Sequence, residues 1–131
     1  MTRPSVDSWG LMVAAAVSTR AECTRRKVGA VLVNQAGRVI ATGYNGAPAG
    51  RPSCLDGACP RGQLSYEQMP ADAPYTNCIA IHAELNALLH ATRDTPGSTL
   101  YITDEPCHEC RRSIAAAGVA RVVTPNGEHT P

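Results

Sequence analysis

The sequence predicts an α/β protein: a three-layer α/β/α sandwich built on one mixed sheet of four to five strands. Three observations support this. Apolar periodicities alternate in the order α-β-β-α-β-α-β, which places helices on both faces of a single sheet. The β-branched runs are short and bounded by Gly, Pro or polar turns. And 131 residues suit one domain with a modest core, here spanning 1–131 with a Cys/Gly/Pro-rich insertion at 45–79.

The elements follow in order. SVDSWGLMVAAAVSTR (5–20) is alanine-rich, with Trp9, Met12, Val13, Ala16 and Val17 on one helical face. Ser5 suits the N-cap and Asp7 the first turn, while Gly10 weakens the helix. VGAVLVN (28–34) and RVIATGY (38–44) are β-branched runs joined by QAG, a strand pair with a Gly-containing hairpin loop. The stretch that follows, 45–79, shows no sustained periodicity; a loop that long is functional or pinned by something other than a core. HAELNALLHA (82–91) reads as a helix and STLYIT (98–103) as a strand. PCHECRRSIAAAG (106–118) reads as a helix with Pro106 at its first position and Gly118 just past its end. ARVVT (120–124) is a short strand and PNGEHTP a turn-like tail.

Composition narrows the function. The longest apolar run, LMVAAAV (11–17), is far short of the roughly 20 residues of a membrane span. MTRPSVDSWG lacks the layout of a signal peptide, so a soluble cytoplasmic protein is expected, with no membrane partner. A formal charge of +1, from 12 basic and 11 acidic residues, creates no strong field for nucleic acid. With no Phe, one Trp and four Tyr, stacking platforms for a single strand are scarce. Neither fact excludes a small anionic ligand. Six cysteines in a chain with no sign of secretion point to metal ligands or catalysts before disulfides.

Chemistry concentrates at two predicted helix starts. On a wheel of about 100° per residue, Ile81, Leu85, Leu88 and Leu89 form the core stripe of HAELNALLHA. His82 and Glu84 flank that stripe about 200° apart, so they do not sit side by side. At the open end of a helix, however, one can grip a metal while the other leans across it. Cys107 and Cys110 share a face with Ile114 below, and a helix N-terminus favours their thiolates. His82, Cys107 and Cys110 make three ligands for a tetrahedral Zn²⁺ and leave the fourth position to water, the pattern of catalytic zinc. Glu84 is then the general base and acid. H-x-E with P-C-x-x-C is the signature of zinc nucleobase deaminases. Each part alone has an ordinary reading: a satisfied polar His, a redox Cys pair or half of a structural zinc site, an acid suited to the helix dipole. Their conjunction, with Pro106 present and a strand between, favours the catalytic zinc.

The chain resembles the deoxycytidylate (dCMP) deaminase family of the zinc-dependent cytidine deaminase superfamily. The matching stretches are CTRRKVGAVLV (23–33), ATGYNGAPAG (41–50), CLDGACPR (54–61), HAELNA (82–87), TLYIT (99–103) and PCHEC (106–110). The resemblance implies the cytidine deaminase fold and hydrolysis of dCMP to dUMP and ammonia by a zinc-bound hydroxide, with Glu84 as proton shuttle. It also implies a small-molecule nucleotide as substrate and a homo-oligomeric assembly. Asn45 is implied to contact the sugar or base, the ordinary and less favoured alternative being an Asn-Gly turn. Arg93 matches a phosphate-binding position, and could instead be a cation at a helix C-terminus. Arg25, Arg26 and Lys27 read as a solvated basic turn, with Arg26 able to reach phosphate. Relatives with this insertion carry a second, structural zinc, for which Cys23, Cys54, Cys59 and Cys78 are the available ligands; free thiols are the alternative. Family chains usually continue past the strand at 121–124 into another helix and strand, whereas this one stops at Pro131, which puts a full sheet and the usual subunit packing in doubt.

Two rival functions remain open from sequence. One is a deaminase of another base, nucleoside or nucleotide, including a specialised-metabolite pyrimidine, guanine or tRNA adenosine. E-P-C at 105–107 occurs across several such branches. The other is a zinc-stabilised binding module without catalysis, against which an intact Glu84 beside an open three-ligand site argues.

Overall fold

The computed structural model describes residues 2–60, 63–68 and 78–131. The expected 45–79 insertion therefore lies partly outside the described residues. In chain order the elements are α1 (Val6–Ser18), β1 (Gly29–Val33), β2 (Val39–Tyr44), α2 (Ala83–His90), β3 (Thr99–Ile102), α3 (His108–Ala116), β4 (Arg121–Thr124) and β5 (Gly127–His129). The sheet runs β2-β1-β3-β4-β5. Among the described strands only β3 and β4 pair in parallel, and α3 supplies the crossover such a pair requires.

β1 is buried on both faces, which is why its sequence is continuously apolar instead of alternating. Ala30 and Leu32 join Leu100, Ile102, Val122, Ile114, Ala83 and Ala87 under α2 and α3. Val31 and Val33 join Tyr101, Val123 and Ala14 under α1. These two cores make the three layers; each fully buried Leu or Ile contributes about 1.5–3 kcal/mol.

The helices dock on small residues, and this rotates two of them from the expected faces. In α1, Met12 is 53% exposed and Ala16 is also exposed, while Gly10 and Ala14 face the sheet. A Cβ on Gly10 would stand 2.5 Å from Cγ of Tyr101, and one on Gly29 would stand 2.0 Å from the Ala14 carbonyl oxygen. In α2, Leu89 is 64% exposed and Ala83, Glu84 and Ala87 are buried. Gly43 of β2 lies beneath them, with space for a Cβ closed by the Ala83 carbonyl at 2.2 Å. Close approach of backbones, more than side-chain hydrophobicity, decides which face turns inward.

Ser5 caps α1 as expected, accepting from the Ser8 amide at 3.1 Å. In α3 the N-cap is Cys107, so Pro106 precedes the helix instead of opening it. Gly118 ends α3 with φ +84°; its N–H donates to Ala115 and that of Val119 to Ile114, a Schellman closure. The tail differs from the expected turn-like end. Residues 125–126 form a two-residue turn, and β5 pairs antiparallel with β4, Val122 opposite His129. That hairpin supplies the fifth strand.

Candidate metal centre and active site

The N-termini of α2 and α3 meet at one end of the sheet. His82 is the N-cap of α2, in extended conformation (φ −66°, ψ 152°), and its ring makes no capping bond. It therefore lies outside the helix, and the 200° separation from Glu84 read off a wheel does not apply: Nδ1 is 3.9 Å from Glu84 Oε1. The backbone ladder fixes this entry, because Ile81 and Gly46 exchange both N–H···O bonds, at 2.7 and 3.2 Å. Cys107 caps α3, its Sγ accepting from the Cys110 amide at 3.5 Å.

His82 Nδ1 stands 3.2 Å from Cys110 Sγ and 3.6 Å from Cys107 Sγ. The three ligand atoms lie within 4.8 Å of one another, the group among the described residues that is gathered closely enough to hold a metal ion. A tetrahedral zinc with ordinary bond lengths separates a nitrogen and a sulfur ligand by about 3.6 Å. The donor set and the spacing both fit zinc.

The electrostatics also call for a cation. Glu84 is 4% exposed. Burial pushes its carboxyl up, partly opposed by its own backbone amide, His82, Cys110 and Arg26. The Cys110 thiol, expected to be acidified by the helix end, is pushed up instead, by burial and by the neighbouring Glu84 and Cys107. A helix terminus cannot offset a buried carboxylate in contact with the thiol; a divalent ion can, because a coordinating thiol is deprotonated outright.

An open cleft of about 510 Å³, open solvent included, leads to these groups. Arg26 and Asn45 line it, as do Cys23 and Cys78. Arg26 pairs with Asp104 at its edge. Asn45 is neither a simple turn residue nor free to point wholly at a ligand. Its Oδ1 accepts from the Val28 amide at 2.9 Å and its Nδ2 donates to the Arg26 carbonyl at 2.9 Å, which ties β2 to the start of β1.

Arg93 is not brought to the cleft. It lies three positions beyond the C-terminal end of α2, exposed, and is not among the residues lining the cleft. The remaining cysteines form no disulfide among the described residues. Cys78 is hydrogen-bonded with Cys59 and lies near Cys23, whereas Cys54 Sγ faces Thr24 Oγ1 at 3.2 Å. The four are thus not gathered into a ligand sphere as His82, Cys107 and Cys110 are. Two acids went unpredicted: Asp104, which holds Arg26, and Glu105, which lines the cleft. The latter's place in E-P-C, two residues before a ligand, was the available signal.

A mixed sheet whose two helix starts bring one His and two Cys beside a buried Glu defines a metal-dependent hydrolase of the nucleobase-deaminase class. Residues 4–125 match the family described as the cytidine and deoxycytidylate deaminase zinc-binding region, and the chain belongs to that family. It is 49% identical over 130 residues to the deoxycytidylate deaminase of Mycobacterium phage D29, covering 95% of this chain and 98% of that one. It is 41% identical over 128 residues to the deoxycytidylate deaminase of Saccharomyces cerevisiae, covering 94% of this chain but 38% of the yeast protein. Among solved structures, the dCMP deaminase of cyanophage S-TIM5 in complex with dCMP and dUMP superposes with a TM-score of 0.71 at 29% identity, covering 95% of this chain and 83% of that one.

Proposed function

We propose that this chain hydrolyses dCMP to dUMP and ammonia at the His82–Cys107–Cys110 centre. One observation carries the reading: a nearly fully buried carboxylate, Glu84, leans over a three-residue zinc-type donor set at the floor of an open cleft. The relatives' activities and the dCMP- and dUMP-bound neighbour support the choice of substrate.

His82 through Nδ1 and the two cysteine thiolates would hold Zn²⁺. When bound, the ion acidifies a water to a pKa of roughly 7. In the net reaction the water oxygen becomes the C4 carbonyl, the bond from C4 to the amino nitrogen breaks, and that nitrogen leaves as ammonia. Glu84 moves the protons: one from water to N3 of the ring, and one to the departing amine. Its burial excludes bulk water from that transfer. Arg26, braced by Asp104, offers a guanidinium to the 5′-phosphate. Asn45 keeps amide capacity for the sugar or base beyond the two bonds it makes within the chain. The contact of Cys78 with Cys59, near Cys23, also supports a structural zinc that Cys54 would complete by turning from Thr24.

Glu84→Gln tests the reading. Turnover of dCMP falls by about 10²–10⁴-fold or more while zinc per chain stays at the wild-type value. Substantial residual activity in a clean preparation sinks it. A panel of cytosine compounds with and without 5′-phosphate separates a nucleotide substrate from a nucleoside. Zinc binding without turnover on any of them supports a binding module instead.

A further inference from the structure

We propose that the β4–β5 hairpin positions the metal centre through Glu105, an inference that rests on reading His82, Cys107 and Cys110 as zinc ligands. Residues 103–107 join β3 to α3 outside either element and end on Cys107. Zinc requires its ligands within a few tenths of an ångström, which a short irregular link does not hold unaided.

Glu105 supplies the hold. Its Oε1 accepts from Thr124 Oγ1 at 2.7 Å, from His129 Nε2 at 3.2 Å and from Asn126 Nδ2 at 3.3 Å. Its Oε2 accepts from Arg111 Nη2 at 3.2 Å, and the Nε of that arginine donates to the Pro106 carbonyl at 3.2 Å. Three donors of the hairpin and one of α3 thus converge on the carboxylate two residues before Cys107. The other end of the link is fixed by the Arg26–Asp104 pair.

β5 itself buries little, with Gly127 and Glu128 exposed and His129 half-buried, so its attachment is through side chains. Alternation along the strand separates two attachments. His129 reaches Glu105. Glu128 instead pairs with Arg121, which also pairs with Asp7 of α1. Glu105 and His129 are positioning residues, and Glu128 is the matched control.

The experiment measures release to a chromophoric chelator of the zinc that a His82→Ala variant lacks, with Tm recorded alongside. Glu105→Gln and His129→Ala lower that zinc affinity about 10- to 100-fold, as loss of a ligand-orienting partner does. His129→Gln, which keeps a donor, recovers most of it. Glu128→Ala lowers Tm but leaves zinc affinity at the wild-type value. The proposal is overturned if folded His129→Ala holds zinc like wild type, or if Glu128→Ala weakens zinc equally at equal loss of Tm. The readout is independent of substrate. A wild-type protein that holds this zinc but deaminates nothing removes the functional reading alone, whereas a wild-type protein that holds no zinc at His82 removes both.

Discussion

Asp7 and Glu84 occupy the same local position, an acid in the first turn of a helix, on opposite faces of the same sheet. Helix-dipole reasoning treats them alike. Their surroundings do not. Asp7 accepts from both terminal nitrogens of Arg121, at 2.9 and 3.3 Å, and from the Tyr101 hydroxyl at 2.7 Å. These bonds, that of Arg121 foremost, hold its carboxyl below the ordinary value of 3.8. Glu84 is far more buried; desolvation pushes its carboxyl up, the charge of Arg26 offsets that only in part, and its neighbours include an imidazole and a thiol. The first acid is satisfied by the chain itself. The second sits among groups that only a bound cation and a substrate can complete, and this contrast separates a structural network from a reactive one.

The largest break in that contrast comes from neutralising each acid in turn. Glu84→Gln removes the proton carrier, so turnover drops by about 10²–10⁴-fold. It also removes a charge that the fold buries at a cost, so Tm is equal to or above that of wild type. A thermal scan beside the rate assay checks both halves. A variant that loses stability together with activity would falsify the view that Glu84 serves chemistry at the expense of the fold.

How far this contrast was legible depended on the residue. His82, Glu84, Cys107 and Cys110 were readable because zinc chemistry restricts residue type, and their spacing survives in the sequence. The helix faces were not, because Gly10, Ala14, Ala83 and Ala87 rank low in hydrophobicity although they admit the closest backbone approach. Wheels that included Met12 and Leu89 were therefore off at those positions, although Trp9, Val13, Val17 and Leu88 do pack on the core as expected. Arg93 was assigned by resemblance, and it is not among the residues lining the cleft. The role of Glu105 depends on Thr124, Asn126 and His129, 19 to 24 residues away, and so on a hairpin that read as a loose tail. The alternation G-E-H after a two-residue turn was the signal for that strand.

A second break tests the two helix seats. Gly29 lies under α1 and Gly43 under α2, and in both a Cβ would meet helix backbone, at 2.0 Å and 2.2 Å respectively. Backbone cannot rotate aside, so each change to Ala costs about 1–3 kcal/mol or more. Only Gly43→Ala shifts the helix that carries His82 and Glu84. A displacement of about 1 Å there lowers kcat up to roughly 10²-fold per folded molecule. Gly29→Ala loses comparable stability with kcat near wild type. Equal losses of kcat in both would mean that the site responds to global softening and not to the seat of α2.

The smallest effect sharpens the structural side. Asp7→Asn leaves dCMP turnover within about twofold, since no residue of its network lines the cleft. Its side chain is 44% exposed, so the stability at stake is under about 1 kcal/mol. The sign with pH is definite. The folded-state pKa of Asp7 lies below its unfolded value, so its contribution is present above about pH 4 and is lost as pH falls through the folded value. The Tm gap between wild type and Asp7→Asn is therefore widest near neutrality and narrows as pH falls below about 4. Glu105 and Glu128 are also held below the ordinary range, by Thr124 and Arg121 foremost, and they titrate in both proteins. Subtracting the two curves isolates Asp7. A gap that does not narrow at all as acid is added below about pH 4 would show that Asp7 holds α1 by shape, leaving Arg121 and Tyr101 indifferent to its charge.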